Sequence, residues 1–306
     1  MTQQLLHTQL AGEYRLVVSS DTNTTDSGWF SNLILDNGLE KFAPANTSNP
    51  FAVAWVGTGT SAPLASQTEL EAPLPNCSQG MTFISSSNAG APSYATTQTF
   101  SYTFTKGSVI GNISEVGVGK TTAGDLFSRA LIVDNVGNPT TITITSIDQL
   151  TVYYRITVNP PLTDGTGSIV LDSETYNYTT RILRAANYAN SQYLLYNGGY
   201  YFSTLYSVTA FAAGAAIVPM ESDYPTGTPA GDGSFAHASY VENSHYIDWI
   251  ITFSPTQGNG DGGIQAFKLA SGGPYQAHQY QIAFDKPIPK TNTKSLSLTF
   301  RFAWGV

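Results

Sequence analysis

Charged residues are scarce in this chain. Only 11% of its 306 residues are charged, against about 25% in a typical soluble domain. The 13 Lys and Arg are spread thinly, and the net charge is −8. A nucleic-acid interface needs clustered cations that displace phosphate counterions, and an anionic lipid surface repels an acidic chain. We therefore expect neither a nucleic-acid partner nor insertion into a membrane.

Cysteine and long apolar runs are lacking too. Cys77 is the single cysteine, so the chain has neither an internal disulfide nor a cysteine-based zinc site. The first residues, MTQQLLHTQLAGEYRL, show neither the basic start nor the apolar stretch of a signal peptide. The most apolar window, residues 211–220, is about half as long as a membrane span. This pattern fits folding in a reducing bacterial cytoplasm, and it fits a disulfide-free secreted protein equally well.

The abundant feature is alternation of apolar and polar residues. It recurs in residues 99–105, 141–147, 149–158 and 295–304. The last of these segments places five large side chains on one face: Leu296, Leu298, Phe300, Phe302 and Trp304. A period of two over such lengths is typical of half-buried strands. The sequence therefore predicts an all-β fold whose terminal strand lies in a core.

Turn signals separate these segments. They occur at residues 36–38, 135–139, 197–199 and 258–263, where Gly and Asn allow the positive φ angles of tight turns. Helical patterns are rare. Residues 30–42 and 180–196 are the two candidates for short helices, and the sequence leaves both open.

A domain boundary is predicted at residues 159–167. This segment, NPPLTDGTG, follows a strong strand, and its two prolines cannot continue a ladder. We expect two antiparallel β-sandwich domains of jelly-roll-like type, over residues 1–160 and 161–306.

The two halves resemble each other. Residues 100–118 align with 250–269, residues 127–131 with 284–288, and residues 150–158 with 296–304. The order is the same in both halves, and Arg155 aligns with Arg301. This favours an internal duplication. The alternative is that any two antiparallel sheets share alternation and turn chemistry.

Five segments resemble virion proteins of tailed bacteriophages, especially tail and tail-fibre components. They are residues 28–42, 56–70, 111–119, 126–158 and 284–305. The resemblance implies a structural, non-enzymatic protein without cofactor or metal. Such a protein is assembled in the host cytoplasm into the virion, as a homo-oligomer in contact with other virion proteins. It leaves residues 162–249 unassigned.

Three other roles stay open beside a tail or fibre component. The chain could be a capsid decoration or head-fibre protein, a module that binds a host receptor or glycan, or a depolymerase. Paired carboxylates for glycan cleavage converge only in three dimensions, so the sequence does not settle the last of these.

Several segments imitate chemical motifs. Residues 117–121, GVGKT, match the end of a phosphate loop, but Ser114 stands where that motif needs Gly, and a turn between strands is the better interpretation. Asp261 in the loop at 258–263 is a single carboxylate where calcium needs several oxygen ligands.

A metal site is considered and rejected. His237 and His245 lie near Asp232, Glu242 and Asp248 in the sequence, but their spacing fits no zinc pattern. We expect both histidines to face solvent, and no catalytic, cofactor-binding or metal-binding residue is predicted.

Residues 188–211, YANSQYLLYNGGYYFSTLYSVTAF, are unusually rich in tyrosine. A tyrosine ring has a flat apolar face and a polar tip, which suits contacts with proteins and sugars. These rings could form the core of the second domain, a subunit interface or a receptor-glycan site. The candidate partner-binding residues are Tyr196, Tyr200, Tyr201 and Tyr206.

Overall fold

The computed structural model describes residues 4–44, 49–120, 125–134, 136–183, 203–271 and 278–306. Within these ranges the chain forms 22 strands and one short helix, α1 (Asp36–Glu40). The predicted all-β fold is confirmed. No helix in the described ranges has both the length and the apolar character needed to cross a membrane.

The strands of the first half are β1 (Gln4–Ser19), β2 (Thr24–Asp26), β3 (Phe30–Ser31), β4 (Leu33–Ile34), β5 (Val53–Gly57), β6 (Pro73–Gly80), β7 (Thr82–Asn88), β8 (Thr96–Thr103), β9 (Gly111–Ile113), β10 (Glu115–Gly119), β11 (Leu126–Leu131), β12 (Ile142–Ile144) and β13 (Gln149–Asn159). Those of the second half are β14 (Gly165–Leu171), β15 (Glu174–Leu183), β16 (Leu205–Ala212), β17 (Pro229–Asp232), β18 (Ser234–His237), β19 (Tyr246–Phe253), β20 (Ile264–Ser271), β21 (His278–Ile288) and β22 (Leu296–Gly305).

One nine-stranded sheet, the long sheet, runs through both halves. Its order is β18-β19-β22-β1-β13-β8-β7, and β2 and β3 also pair with β1. Strand β1 is antiparallel to β13 along Gln9–Ser19 and parallel to β22 along Gln4–Gln9. The two halves of the chain therefore meet along a single strand.

Two smaller sheets pack on the same face of the long sheet. The five-stranded sheet has the order β4-β11-β10-β5-β6, and the six-stranded sheet has the order β14-β15-β21-β20-β16-β17. The Tyr14 hydroxyl lies 2.7 Å from Ser128 Oγ of the five-stranded sheet. Thr8 Oγ1 lies 3.4 Å from the Tyr280 hydroxyl of the six-stranded sheet. Residues 8 and 14 share a parity and hence a strand face, so two β-sandwiches share the long sheet as a common layer.

The alternation read from the sequence defines this core. Every second residue of β13 is buried, and β22 buries Leu296, Leu298, Phe300 and Phe302 with Trp304. Trp249 of β19 stacks on Phe302 with 5.0 Å between ring centroids. The prediction that the terminal strand lies inside a sandwich is confirmed.

Some local predictions were wrong. Residues 36–38, expected as a turn, begin α1, where a Cβ at Gly38 would stand 2.1 Å from the Phe127 carbonyl oxygen. The strand predicted at 141–147 is only Ile142–Ile144. The end of the predicted boundary segment, from Gly165 onward, is strand β14. Of the helix candidate at 180–196, residues 180–183 belong to β15 and the rest lies outside the described residues.

Eight strands follow the same order in both halves. In the smaller sheets β4-β11-β10-β5-β6 corresponds to β15-β21-β20-β16-β17, and in the long sheet β7-β8-β13 corresponds to β18-β19-β22. Each set also runs in the same order along the chain. A duplication would produce this topology, and the duplication itself stays a prediction.

The pairing register agrees with the alignment of the two halves. The Phe104 N–H donates to the Leu150 carbonyl. Phe104 aligns with Phe253 and Leu150 with Leu296, and Phe253 and Leu296 also lie opposite each other in neighbouring strands. Farther along, Arg155 lies opposite Thr99, and its aligned residue Arg301 lies opposite Asp248. The correspondence therefore extends from strand order to individual residues.

The domain division at residue 160 stays a prediction. A fragment of residues 1–160 keeps the whole ladder between β1 and β13, so we expect a β-type circular dichroism spectrum and a cooperative melt. Its melting temperature should lie below that of the whole chain, because β1 loses β22 and the Leu39 carbonyl loses the Trp304 indole N–H. A fragment that stays unfolded while the whole chain folds would contradict the division.

Replacing Trp249, which is fully buried, tests the shared core. We expect Trp249→Ala to lower the free energy of unfolding by about 3–5 kcal/mol, the usual range for a large aromatic core residue. On the other face of the same strand, Tyr246→Ala removes a half-buried ring that makes a cation–π contact with Arg301. This change should cost less, about 1 kcal/mol. Urea titrations followed by circular dichroism measure both, and equal losses would refute the assigned faces.

Candidate assembly surface

The tyrosine-rich segment is described only at its end. Tyr196, Tyr200 and Tyr201 lie outside the described residues. Tyr206 lies on β16, where its side chain is 43% exposed while the preceding Leu205 is fully buried. Tyr206 is therefore available for contact with a partner.

The residues considered for metal binding have separate partners. Asp248 accepts two hydrogen bonds from Arg301, at 2.8 and 3.0 Å. Asp232 accepts one from Thr209 Oγ1 at 2.6 Å. In the ranges that the structure describes, no group of three or more His, Cys, Asp or Glu side chains could hold a metal ion.

The two histidines do not face solvent as expected, because both are partly buried. Leu205 N–H donates to His237 Nε2 at 2.9 Å, which fixes that nitrogen as an unprotonated acceptor. His245 Nε2 lies 3.3 Å from Glu40 Oε1, an oxygen that also accepts a hydrogen bond from the Tyr240 hydroxyl at 2.6 Å. The first contact connects β16 with β18, and the other two connect the segment before β19 with α1.

His237 makes stability depend on pH. Burial lowers the pKa of His237 below its ordinary value, while an unfolded chain binds a proton at histidine near about pH 6.5. As the pH falls below that value, the unfolded state binds a proton at His237 while the folded state does not, so the free energy of unfolding decreases. We expect the free energy of unfolding, measured in urea, to fall from pH 7.5 to pH 5.5, and to fall less in His237→Gln. Equal losses in both proteins would rule out His237 as the cause.

Of the two other imitated motifs, one lies in a strand and one in a loop. Gly117 and Gly119 of the GVGKT segment belong to strand β10 rather than to a turn. The loop at 258–263 has positive φ angles at Gly258, Gly262 and Gly263, as its glycines predicted.

A buried ion pair on the five-stranded sheet was missed by the sequence analysis. Arg129 and Glu115 are both fully buried, with Arg129 Nε 2.8 Å from Glu115 Oε2. The Glu115 carboxylate also accepts hydrogen bonds from the N–H groups of Gly59, Glu71 and Ala72. These bonds fasten the segment 57–72 over the sheet, so the pair is structural. In the sequence, the one signal for this ion pair is that Arg129 and Glu115 each stand in an otherwise apolar strand.

Most sheet edges carry a feature that discourages further pairing. Natural edges are protected by shortness, proline and bulges. The end strands β4 and β18 have two and four residues. The end strands β6 and β17 contain proline and shift register against their neighbours, and β7 shifts register within Phe83–Ser85.

Strand β14 (Gly165–Leu171), the other end strand of the six-stranded sheet, carries none of these features. Its ladder with β15 is regular from Gly165–Thr180 to Leu171–Glu174. Its sequence, GTGSIVL, has no proline and no charge, and Val170 is 65% exposed. This strand was not predicted from the sequence, because its glycines indicated a loop.

A groove of about 580 Å³ adjoins β14 on the outer side of the six-stranded sheet. Its lining mixes apolar residues, such as Ala215 and Ile217, with polar ones, among them Thr166 and Asp285. Asp285 is held in place because it accepts hydrogen bonds from the backbone N–H and the side-chain amide of Asn177, at 3.0 and 2.7 Å. The groove has the size for a small ligand.

No protein-family model, no curated protein and no solved structure matches this chain.

Proposed function

We propose that the chain is a non-enzymatic structural component of a tailed-bacteriophage virion, placed by its sequence resemblance in the tail or its fibres. It acts by assembling with copies of itself and with neighbouring virion proteins, after synthesis in the bacterial cytoplasm. The observation that carries this proposal is the resemblance of five segments to virion proteins of this class, over residues 28–42, 56–70, 111–119, 126–158 and 284–305.

The way the fold uses its charges supports a structural role. Arg155 binds Glu13 through two hydrogen bonds, at 2.6 and 2.8 Å, and Arg301 binds Asp248 in the same manner. Glu115 and Arg129 hold a covering segment on the five-stranded sheet. The carboxylates in these pairs are engaged as acceptors, an arrangement that favours rigidity over proton transfer.

The shared long sheet supports the same role. Its central strand β1 pairs with β22 of the second half along Gln4–Gln9 and with β13 of the first half along Gln9–Ser19. One continuous cluster of buried residues includes side chains from both sandwiches. A single body of this kind transmits load between neighbours better than domains on a flexible linker.

The groove beside β14 favours one second role, a module that binds a host glycan. Hydroxyl and carboxylate groups at Thr166, Ser168 and Asp285 line it, and sugars are recognised by groups of this kind. A glycan array incubated with the purified protein tests this role, and Asp285→Ala would abolish a signal that originates in the groove.

Immunogold labelling of intact particles tests the structural proposal. An antibody against the purified chain should decorate the tail or its fibres in regular positions. Label on the head would favour a capsid decoration or head-fibre protein instead. Particles that carry no label, although the antibody recognises the denatured chain in infected cells, would contradict a virion role.

A further inference from the structure

Lys290, in the segment between β21 and β22, has a buried amine. The residue is only 4% exposed. Its Nζ donates to Asn259 Oδ1 at 2.9 Å and to the Thr291 carbonyl at 3.0 Å, and among the residues that the structure describes no carboxylate pairs with it. Burial lowers the pKa of Lys290 below its ordinary value. A larger fraction of this amine is therefore neutral, which is the nucleophilic form of lysine.

The partner of this amine, Asn259, belongs to an Asn–Gly pair. It lies exposed in the loop 258–263 and is followed by Gly260. Both ends of its carboxamide are held, because Oδ1 accepts the bond from Lys290 and Nδ2 donates to the Pro255 carbonyl at 2.6 Å. A glycine nitrogen attacks the side-chain carbonyl carbon of a preceding asparagine readily, since glycine has no side chain to hinder ring closure. The product is a succinimide, a far better acyl donor than the original amide.

We propose that Asn259 and Lys290 become joined by an isopeptide bond. In the first step the Gly260 nitrogen attacks Asn259 Cγ, the bond from Cγ to Nδ2 breaks, and the proton of Gly260 leaves with Nδ2 as ammonia. In the second step Lys290 Nζ attacks the same carbon, the bond from Cγ to the Gly260 nitrogen breaks, and a proton from Nζ returns to that nitrogen. The main chain is restored, and one ammonia is lost without any oxidant or cofactor.

The hydrogen bond between Lys290 and Asn259 assists both steps. As an ammonium group, Lys290 stabilises the negative charge that develops on Oδ1 while the ring closes. As a free amine it lies beside the carbon that it attacks, because Oδ1 is bonded to Cγ. Well-oriented groups within one molecule reach effective molarities of about 10⁵–10⁸ M, far above the concentration of water. Attack by Lys290 should therefore be faster than hydrolysis of the succinimide.

The cross-link encloses two paired strands. Asn259 precedes β20 and Lys290 follows β21, and these strands pair with each other in the six-stranded sheet. Such a bond restricts the unfolded chain as a disulfide does. It needs no oxidation, in a protein whose single cysteine is Cys77. The inference goes beyond the proposed virion role and does not depend on it.

Intact-mass spectrometry of the purified full chain tests the cross-link. During incubation in mildly alkaline buffer we expect the wild type to reach a mass one ammonia below that of its sequence. This mass should persist in hydroxylamine, which opens a succinimide, and tandem mass spectrometry of a digest should join Asn259 to Lys290. The same chain in guanidinium should deamidate instead, because unfolding separates the two residues. A folded wild type that keeps its sequence mass, or that only deamidates, would overturn the proposal.

An internal control is the pair Asn37-Gly38 in α1. There Asn37 Nδ2 donates to the Leu126 carbonyl at 2.9 Å, and no lysine in the described ranges contacts its Oδ1. Asn37 should form no cross-link under the same conditions. A linked peptide that contains Asn37 would show that contact with a buried amine is not what selects the site.

Three variants separate the steps. Lys290→Arg keeps a positive donor without the nucleophile, so the succinimide at Asn259 should hydrolyse to aspartate and isoaspartate. Asn259→Gln keeps an exposed amide but closes no five-membered ring, so no stable loss of ammonia should occur. Lys294→Arg changes an exposed lysine nearby in the sequence and should cross-link like the wild type. Circular dichroism checks each fold, and Asn259→Gln decides if Lys290→Arg does not fold. A hydroxylamine-stable loss of ammonia in either of the first two variants would refute the assigned residues.

Discussion

The backbone of β1 holds the two halves of the molecule together. Strands β13 and β22 are equivalent in the two sets of eight strands, and each would end its part of the long sheet with an unpaired edge. An unpaired backbone group that is shielded from water costs free energy comparable to a lost hydrogen bond. Strand β1 occupies both edges, antiparallel to β13 and parallel to β22. The core is continuous for the same reason, because one strand supplies buried side chains to both sandwiches.

The two faces of β1 have different surroundings. Its even-numbered residues from Leu6 to Val18, among them Thr8 and Tyr14, are buried under the smaller sheets. Its odd-numbered residues lie on the outer face, where Glu13 binds Arg155 and that arginine stacks on Trp29 at 4.3 Å. The second half repeats the arrangement with Arg301, which stacks on Tyr246 at 3.5 Å. Partly exposed ion pairs contribute little free energy each, so these stacks mainly order the outer face.

Local pattern was enough to predict the strands that alternate over many residues. The predicted segments 149–158 and 295–304 match β13 and β22 to within one residue at each end. The partnership of β1 with β22 could not be read from the sequence, because it joins residues about 300 positions apart and depends on tertiary packing rather than on propensity. Strand β14 was not predicted, for a different reason. Gly165 and Gly167 carry the chemistry of a loop, and only their pairing with Thr180 and Tyr178 makes them a strand.

The two halves differ in how they end their smaller sheets. In the five-stranded sheet the chain ends the layer with β4, a strand of two residues that offers little backbone to a partner. The equivalent strand in the second half is β15, which has ten residues and is covered by β14. The tip of this hairpin holds Asp172 and Ser173 at φ angles of 50° and 67°, the pair of positive angles that a two-residue type I′ turn requires. A non-glycine residue in this region carries backbone strain. The second half therefore holds a strained, tightly turned hairpin at the position where the first half ends its sheet. Because the turn is so short, β14 covers the edge of β15 along all seven of its own residues, and the second half thus closes with backbone pairing an edge that the first half keeps to two residues.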